Sequence, residues 1–328
     1  MEILESENFT ALPAGPYANQ RLFAFKTLLL QNIIEYLSSV QSAFKNIDIS
    51  FVLEKYKGLN LEKNFSPALF AAFTKLVQAC SSREITKIVN AVHLISILPE
   101  EEIFDAKFGI STVLTEQWEQ DYIDKLCHNH IPSTKYNKTV ILPILNPNLQ
   151  KIKKTIDIVL EQIKEADEEF YQEVTTYVTR LKLFNGKGVE ASSSSSVFGA
   201  IYLNLPPVNE IESVYFAEHI IHETSHLNLE ILHGFDKIVL NDPNATFKSP
   251  IRKDPRPMIG VFHATFVLSR MVRLFNRISK NSTIADYKKQ LEVFKKQFNE
   301  GINTIEKYAT LTDNGKRIAK SFIITSEL

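Results

Sequence analysis

The segment His222-Glu223-Thr224-Ser225-His226 constrains what this chain can fold into more than any other part of its sequence. Two histidines four positions apart lie on one face of an α-helix, one turn from each other, so both imidazoles can reach one metal ion. Glu223 lies about 100° around the helix from His222 and can reach an open position on that ion. The pentad therefore predicts a helix with a metal site on one face.

The predicted helix spans about residues 209–233, and its face opposite His222 is apolar. Six residues form this predicted core face: Ala217, Ile220, Ile221, Leu227, Ile231 and Leu232. Two further histidines share the stripe of His222 and His226. We predict that His219 is a neighbour of the site or a surface residue, and that His233 caps the helix next to Gly234.

Helical periodicity dominates the rest of the chain, and glycine is scarce, with 10 residues. We predict helices near residues 19–40, 67–79, 82–98, 149–181 and 284–305, the last capped by Ser282 or Thr283. Residues 138–145 and 197–205 have the β-branched and aromatic composition of strands and are expected to pair. The predicted fold is mainly α, a helical enzyme with a small β element beside the metal helix. We divide it into an N-terminal helical region, 1–130, and a catalytic region, 131–328, which can also form one continuous domain.

Charge and cysteine content indicate the class of protein. The formal net charge is -1, so nothing points to nucleic acid or an anionic membrane surface as a partner. Cys80 and Cys127 are too few for a disulfide framework and suit a reducing compartment. The first residues are acidic where a signal peptide would be basic, and no apolar run reaches the roughly 20 residues of a membrane span. We therefore expect a cytoplasmic protein.

A metal site of this kind needs a third protein ligand. In a metzincin the helix would end at a glycine three residues after the second histidine, but Leu229 occupies that position and the helix continues. Metzincin geometry is thereby excluded. Glu230, one turn after His226, is better placed to contact a ligand than to be one.

His263 is the better candidate for the third ligand. It lies on a second predicted helix, which begins near Arg256-Pro257 with proline in the first turn. A lone histidine on an apolar helix is more often a core residue than a ligand. Gly260 and Ala264 beside it nevertheless would allow another backbone to approach closely, which favours a ligand.

Two separated blocks resemble one known family. The pentad is followed by residues 249–263, SPIRKDPRPMIGVFH, and together they resemble the HExxH-motif proteins of ribosomal peptide natural-product (RiPP) clusters. That family consists of 2-oxoglutarate-dependent HExxH-type peptide β-hydroxylases. The resemblance extends over about residues 192–275. The chain departs from the family by having Ile251 where tryptophan is usual and Ala264 where glycine is common.

The resemblance implies iron(II) held by His222, His226 and His263, with 2-oxoglutarate chelating through its keto acid and O₂ at the last position. Arg256, or else Arg252, would bind the distal carboxylate bidentately. Non-haem iron oxygenases usually use two histidines and one carboxylate. Three carboxylates therefore remain alternative third ligands: Glu223, Glu230 and Asp254.

The predicted function is that of an iron(II)/2-oxoglutarate dioxygenase, which hydroxylates the β-carbon of a residue in a ribosomal precursor peptide. Glu223 would then support the site or contact substrate. The main alternative is a zinc peptidase or amidase, in which Glu223 is the general base and His263 completes the ligand set. A non-catalytic precursor-binding protein with a vestigial site is the third possibility.

Overall fold

The computed structural model describes residues 4–44, 48–105, 108–128, 139–207 and 211–327. It is 66% helical, which confirms the predicted mainly α fold. The helices are α1 (Ala18–Ala43), α2 (Ser50–Lys57), α3 (Pro67–Ser82), α4 (Ile85–Ile97), α5 (Glu100–Ile103), α6 (Glu119–His128), α7 (Asn146–Ala166), α8 (Glu168–Tyr177), α9 (Glu212–Phe235), α10 (Met258–Asn281), α11 (Ala285–Tyr308) and α12 (Asp313–Glu327). The strands are β1 (Asn64–Phe65), β2 (Phe104–Asp105), β3 (Gly109–Thr112), β4 (Val140–Pro143), β5 (Arg180–Lys187), β6 (Ala191–Ser193), β7 (Ala200–Asn204), β8 (Thr246–Phe247) and β9 (Arg256–Pro257).

The chain forms two compact units, and neither is one continuous stretch. The first consists of residues 1–2, 22–144 and 178–204, and the second of residues 3–21, 145–177 and 205–328. The predicted boundary between residues 130 and 131 lies outside the described residues.

The first unit contains a sheet in the order β3–β5–β7–β6, with β4 also paired to β5. β5 is parallel to β3 and to β7, whereas β4 and β6 run antiparallel to their neighbours. Both predicted strand segments therefore belong to a sheet, as β4 and β7. The prediction that they pair with each other is wrong, because each pairs with β5 instead.

The first unit's helices begin and end where local chemistry predicts. α3 starts at Pro67, directly after Ser66, whose hydroxyl accepts a hydrogen bond from the Ala68 N–H. Its last residue is Ser82, and Arg83 follows in the left-handed conformation with φ 58°. The next helix, α4, packs against α3. The helices predicted over 67–79 and 82–98 are confirmed to within a few residues.

The second unit is built around α10, which packs against α7, α9, α11 and α12. This helix is long and apolar enough to cross a membrane, but 78% of its most apolar window is buried inside the protein. The core helix of a soluble protein has the same character, so the structure is compatible with a soluble protein.

Asp167 separates α7 from α8, where the sequence predicts one helix continuing to Leu181. Asp167 has an extended φ of -153°, and its carboxylate accepts a hydrogen bond from the Phe170 N–H. The chain then leaves helical conformation after Tyr177, and Leu181 lies in β5. The prediction was wrong there because an apolar run of this length fits a buried strand as well as a helix.

α11 confirms the periodic pattern over 284–305, although its cap differs from the predicted one. The N-cap position is Ile284, and the Ser282 hydroxyl accepts a hydrogen bond from the Ile284 N–H. Within this helix, Gly301 lies against Thr265 of α10 so closely that an added Cβ would overlap the threonine hydroxyl. Glycine therefore lets α10 and α11 approach each other here.

Candidate metal centre

The pentad lies in the middle of α9. All six residues of the predicted core face are fully buried. The start predicted near residue 209 lies outside the described residues, and the helix ends at Phe235. α9 packs against α7, α8 and α10, and on its histidine stripe His222 and His226 stay partly exposed.

His222 and His226 form a pair that faces one point. Their Nε2 atoms are 3.2 Å apart, and their ring centroids are 4.9 Å apart. Two nitrogens bound to one ion at about 2.0–2.1 Å and separated in this way would subtend an angle of about 100°. That angle is close to tetrahedral, so the pair fits a chelated zinc or iron ion without a change of rotamer.

His263 lies beside this pair, on the second turn of α10. Its ring centroid is 6.1 Å from that of His226. Rings bound to one ion at tetrahedral or adjacent octahedral positions have centroids about 4.5–5.2 Å apart. The third imidazole is therefore adjacent to the pair but about 1 Å too distant to share its ion as it stands. Across the described ranges, no three His, Cys, Asp or Glu side chains already form a group that could hold a metal ion.

The close approach of another backbone beside His263, predicted from Gly260 and Ala264, is not found at Gly260. A Cβ added at Gly260 would contact only the side chain of Arg256, at 3.5 Å, so no other backbone approaches there. His263 comes close to His226 because α10 packs along α9.

His233 also contacts His263, which sequence reasoning missed. The two Nε2 atoms are 2.8 Å apart, and the ring centroids are 4.9 Å apart. His233 lies in the last turn of α9, but the predicted cap next to Gly234 is wrong, because the helix continues to Phe235 and its C-cap is Asp236. Burial lowers the pKa of His233, and the backbone and charge of Asp236 oppose that shift. Its place on the stripe of His222 and His226 was the signal that could have found it.

His219 is turned away from this row. It is buried, its Nδ1 lies 2.8 Å from the Tyr215 carbonyl oxygen, and its ring stacks on Tyr215 at 4.1 Å. It is therefore a neighbour of the site, one of the two roles predicted for it, rather than a surface residue.

The imidazoles next to one another are poor bases. Burial lowers the pKa of His222 to about 4 and that of His226 to about 3, and nearby positive charge acts in the same direction. Burial and the adjacent histidines lower the pKa of His263 to about 3. All three are therefore neutral near pH 7, and the neutral imidazole is the form that binds a metal.

The two candidate arginines occupy the segment that leads into α10. Arg252 is exposed, and its charge helps to lower the pKa of His222. Arg256 lies in β9, where one of its guanidinium nitrogens is 2.7 Å from a carboxylate oxygen of Asp254. Its Nε is buried and has no hydrogen-bond partner among the described residues. Asp254 is thus engaged by Arg256, and Glu223 is buried within α9.

A buried arginine of α10 forms an ion pair with α8 and a hydrogen bond with α9. Arg270, two turns after His263, is completely buried and pairs with the carboxylate of buried Glu173. Its Nε donates to the hydroxyl of Ser225, inside the pentad, at 2.9 Å, and its Nη1 donates to the Ala11 carbonyl oxygen at 2.9 Å. Sequence reasoning missed this residue, although an arginine within an apolar helix was a signal for it.

A second group of ions ties α10 to the break between α7 and α8. The Asp167 carboxylate accepts from Arg273 at 2.6 Å and lies 3.1 Å from a guanidinium nitrogen of Arg277. Arg273 also pairs with Glu169 at 3.0 Å. Charged contacts therefore anchor α10, the helix of His263, to the region where α7 ends and α8 begins.

No protein-family model matches the chain, and no curated protein matches it.

Proposed function

We propose that the chain is an iron(II)- and 2-oxoglutarate-dependent oxygenase that hydroxylates the β-carbon of a residue in a ribosomally synthesised peptide. The observation that carries the proposal is the row formed by the His222–His226 pair and His263, in which the ring nitrogens are neutral. Three neutral imidazoles leave the full double charge on a divalent ion, and such an ion attracts a dianionic cosubstrate. The two-block resemblance supports the choice of that cosubstrate.

His222, His226 and His263 would hold the iron, and a shift of the His263 ring by about 1 Å would bring it to the pair. Bound iron(II), 2-oxoglutarate and O₂ together supply the oxidising power that converts a C–H bond into a C–OH bond, with succinate and CO₂ as co-products. The protein's own task is to bind and orient the peptide and to keep water from the reacting carbon.

Arg256 would bind the distal carboxylate of 2-oxoglutarate. Its present contact with Asp254 supports this role, because the guanidinium is already paired with a carboxylate. A cosubstrate carboxylate would displace Asp254 and could also accept from the unpartnered Nε. Arg252 is the second candidate, since its charge acts on His222.

Glu223 would support the site or contact the peptide. Its burial beside His222 in the pentad also favours a second candidate function, a zinc peptidase or amidase in which the same carboxylate activates water. In either case we propose a cytoplasmic protein whose partner is a peptide, with no role for nucleic acid or a membrane.

Reconstitution of the metal-free protein tests the reaction class. With iron(II), 2-oxoglutarate, labelled O₂ and a short peptide encoded beside its gene, the protein should release succinate and add one labelled oxygen atom to the peptide. If zinc supports turnover and the peptide is cut, the oxygenase assignment fails.

The variant Glu223→Gln separates the two candidates. It should keep metal binding and 2-oxoglutarate decarboxylation in an oxygenase, whereas a hydrolase would lose about 10²–10⁴ in rate without its general base. His93→Gln, an exposed residue of α4, is the matched control. Complete loss of decarboxylation by Glu223→Gln, with metal and cosubstrate still bound, would contradict the role given to Glu223.

A further inference from the structure

His233 is a histidine that the proposed function does not use. It lies in the last turn of α9, and its Nε2 is 2.8 Å from the Nε2 of His263. Both side chains are partly exposed at the end of the row that begins with His222. The His263 ring is thus turned with its Nε2 towards His233.

His233 cannot join His222 on one ion. Eleven residues of straight helix separate them, which corresponds to about 16.5 Å along the axis. An imidazole reaches an ion roughly 6.5 Å from its Cα, so two histidines span at most about 13 Å. A single centre with all four histidines is therefore excluded, and His233 must act on the site through His263.

The donor in the contact can be assigned from the ligand role of His263. The two Nε2 atoms are at hydrogen-bond distance, so one donates and the other accepts. With Nε2 of His263 facing His233, the nitrogen left for a metal ion is Nδ1. A neutral imidazole has one N–H, and a ligand that binds through Nδ1 has this N–H at Nε2. His263 Nε2–H is then the donor and His233 Nε2 the acceptor.

We propose that His233 is a positioning residue that fixes His263 as its Nε2–H tautomer, so that His263 binds the metal through Nδ1. His222 and His226 bind through Nε2, the atoms that face each other. Metal-bound histidines generally donate their second ring N–H to an acceptor, and here a histidine takes the place of the usual carboxylate or carbonyl. The inference rests on the proposed function only in taking His263 as the third ligand.

The test uses the full chain labelled with ¹⁵N-histidine and loaded with zinc(II), a diamagnetic probe of the same site. Long-range ¹H–¹⁵N spectra distinguish a metal-bound nitrogen from a protonated one. We expect zinc at Nδ1 of His263 and a proton at its Nε2, while His222 and His226 have zinc at Nε2.

Variants of His233 give a second readout, the zinc affinity. His233→Ala should lower it by about 10–100-fold, as loss of a ligand's hydrogen-bond partner does. His233→Gln should restore much of the loss, because its amide oxygen can accept the Nε2–H. His93→Ala should change nothing, since that side chain is exposed on α4.

Two results would overturn the inference while leaving the ligand set intact: zinc bound to Nε2 of His263, or an unchanged affinity in His233→Ala. If His263→Ala binds zinc as tightly as the unmodified chain does, the ligand set of the proposed function fails, and this inference fails with it.

Discussion

Replacing Arg270 by methionine should destabilise the second unit strongly, and the contacts described above set the size of the effect. The guanidinium has no exposure and interacts with Glu173, Ser225 and Ala11. Methionine fills a similar volume but leaves the Glu173 carboxylate buried with the Ala14 N–H as a remaining donor. Breaking a buried ion pair from one side costs about 3–5 kcal/mol, so we expect a decrease of that size in the free energy of unfolding.

Urea unfolding of the metal-free protein, followed by far-ultraviolet circular dichroism, measures this change. The double variant Arg270→Met/Glu173→Gln should be less destabilised than Arg270→Met alone, because the uncompensated charge is gone. Arg317→Met, at an exposed position of α12, is the matched control and should stay within about 0.5 kcal/mol of the parent. A loss under 1 kcal/mol for Arg270→Met, or a double variant no better than the single one, would refute the reasoning.

The same variant should also weaken zinc binding, because Ser225 lies next to His226 and Arg270 follows His263 on α10. A variant that unfolds more easily yet binds zinc with unchanged affinity would show that the buried pair stabilises the unit without positioning the histidines.

Three more outcomes are expected. The metal-free protein should lose stability below pH 6.5, because His222, His226 and His263 have pKa values of about 4, about 3 and about 3 when folded. As the pH falls, the unfolded chain takes up these protons first, because its histidines have pKa values of about 6.5. Urea titrations should therefore give a free energy of unfolding about 4 kcal/mol lower at pH 5.5 than at pH 7.5. An equal free energy of unfolding at the two pH values would contradict this. Arg256→Ala should bind iron normally but lower the affinity for 2-oxoglutarate by tens- to thousands-fold, a loss of about 2–5 kcal/mol in binding free energy. Arg256→Lys should recover part of it. Calorimetric titration with 2-oxoglutarate measures the affinity, and an unchanged value in Arg256→Ala would mean that another residue binds the distal carboxylate. Gly301→Ala should lower the unfolding free energy by about 1–3 kcal/mol through overpacking against α10, whereas no change in a urea titration would mean that the helices can separate there.

Features encoded within one helix could be predicted from the sequence. The buried face of α9 follows from the periodicity of its apolar residues. The start of α10 at Met258, directly after Arg256-Pro257, follows from the preference of proline for helix N-termini. The pairing of His222 with His226 follows from the four-residue spacing alone.

Features that depend on how helices pack against each other could not be predicted from the sequence. The contact between His233 and His263 joins residues 30 positions apart on two helices, and local pattern contains no information on their offset. Asp167, at the break between α7 and α8, pairs with Arg273, which lies 106 positions further along the chain. β5 was missed because its residues continue the apolar rhythm of the preceding helix.

The segment at residues 3–21 belongs to the same compact unit as the histidines, although it precedes them by some two hundred positions. Its backbone supplies the Ala11 carbonyl to Arg270 and the Ala14 N–H to Glu173. A chain shortened to begin at residue 131 would therefore retain every proposed ligand and still lack two partners of the buried pair. Cleavage or truncation near the amino terminus should therefore weaken metal binding by the histidines of α9 and α10, some two hundred positions further along the chain.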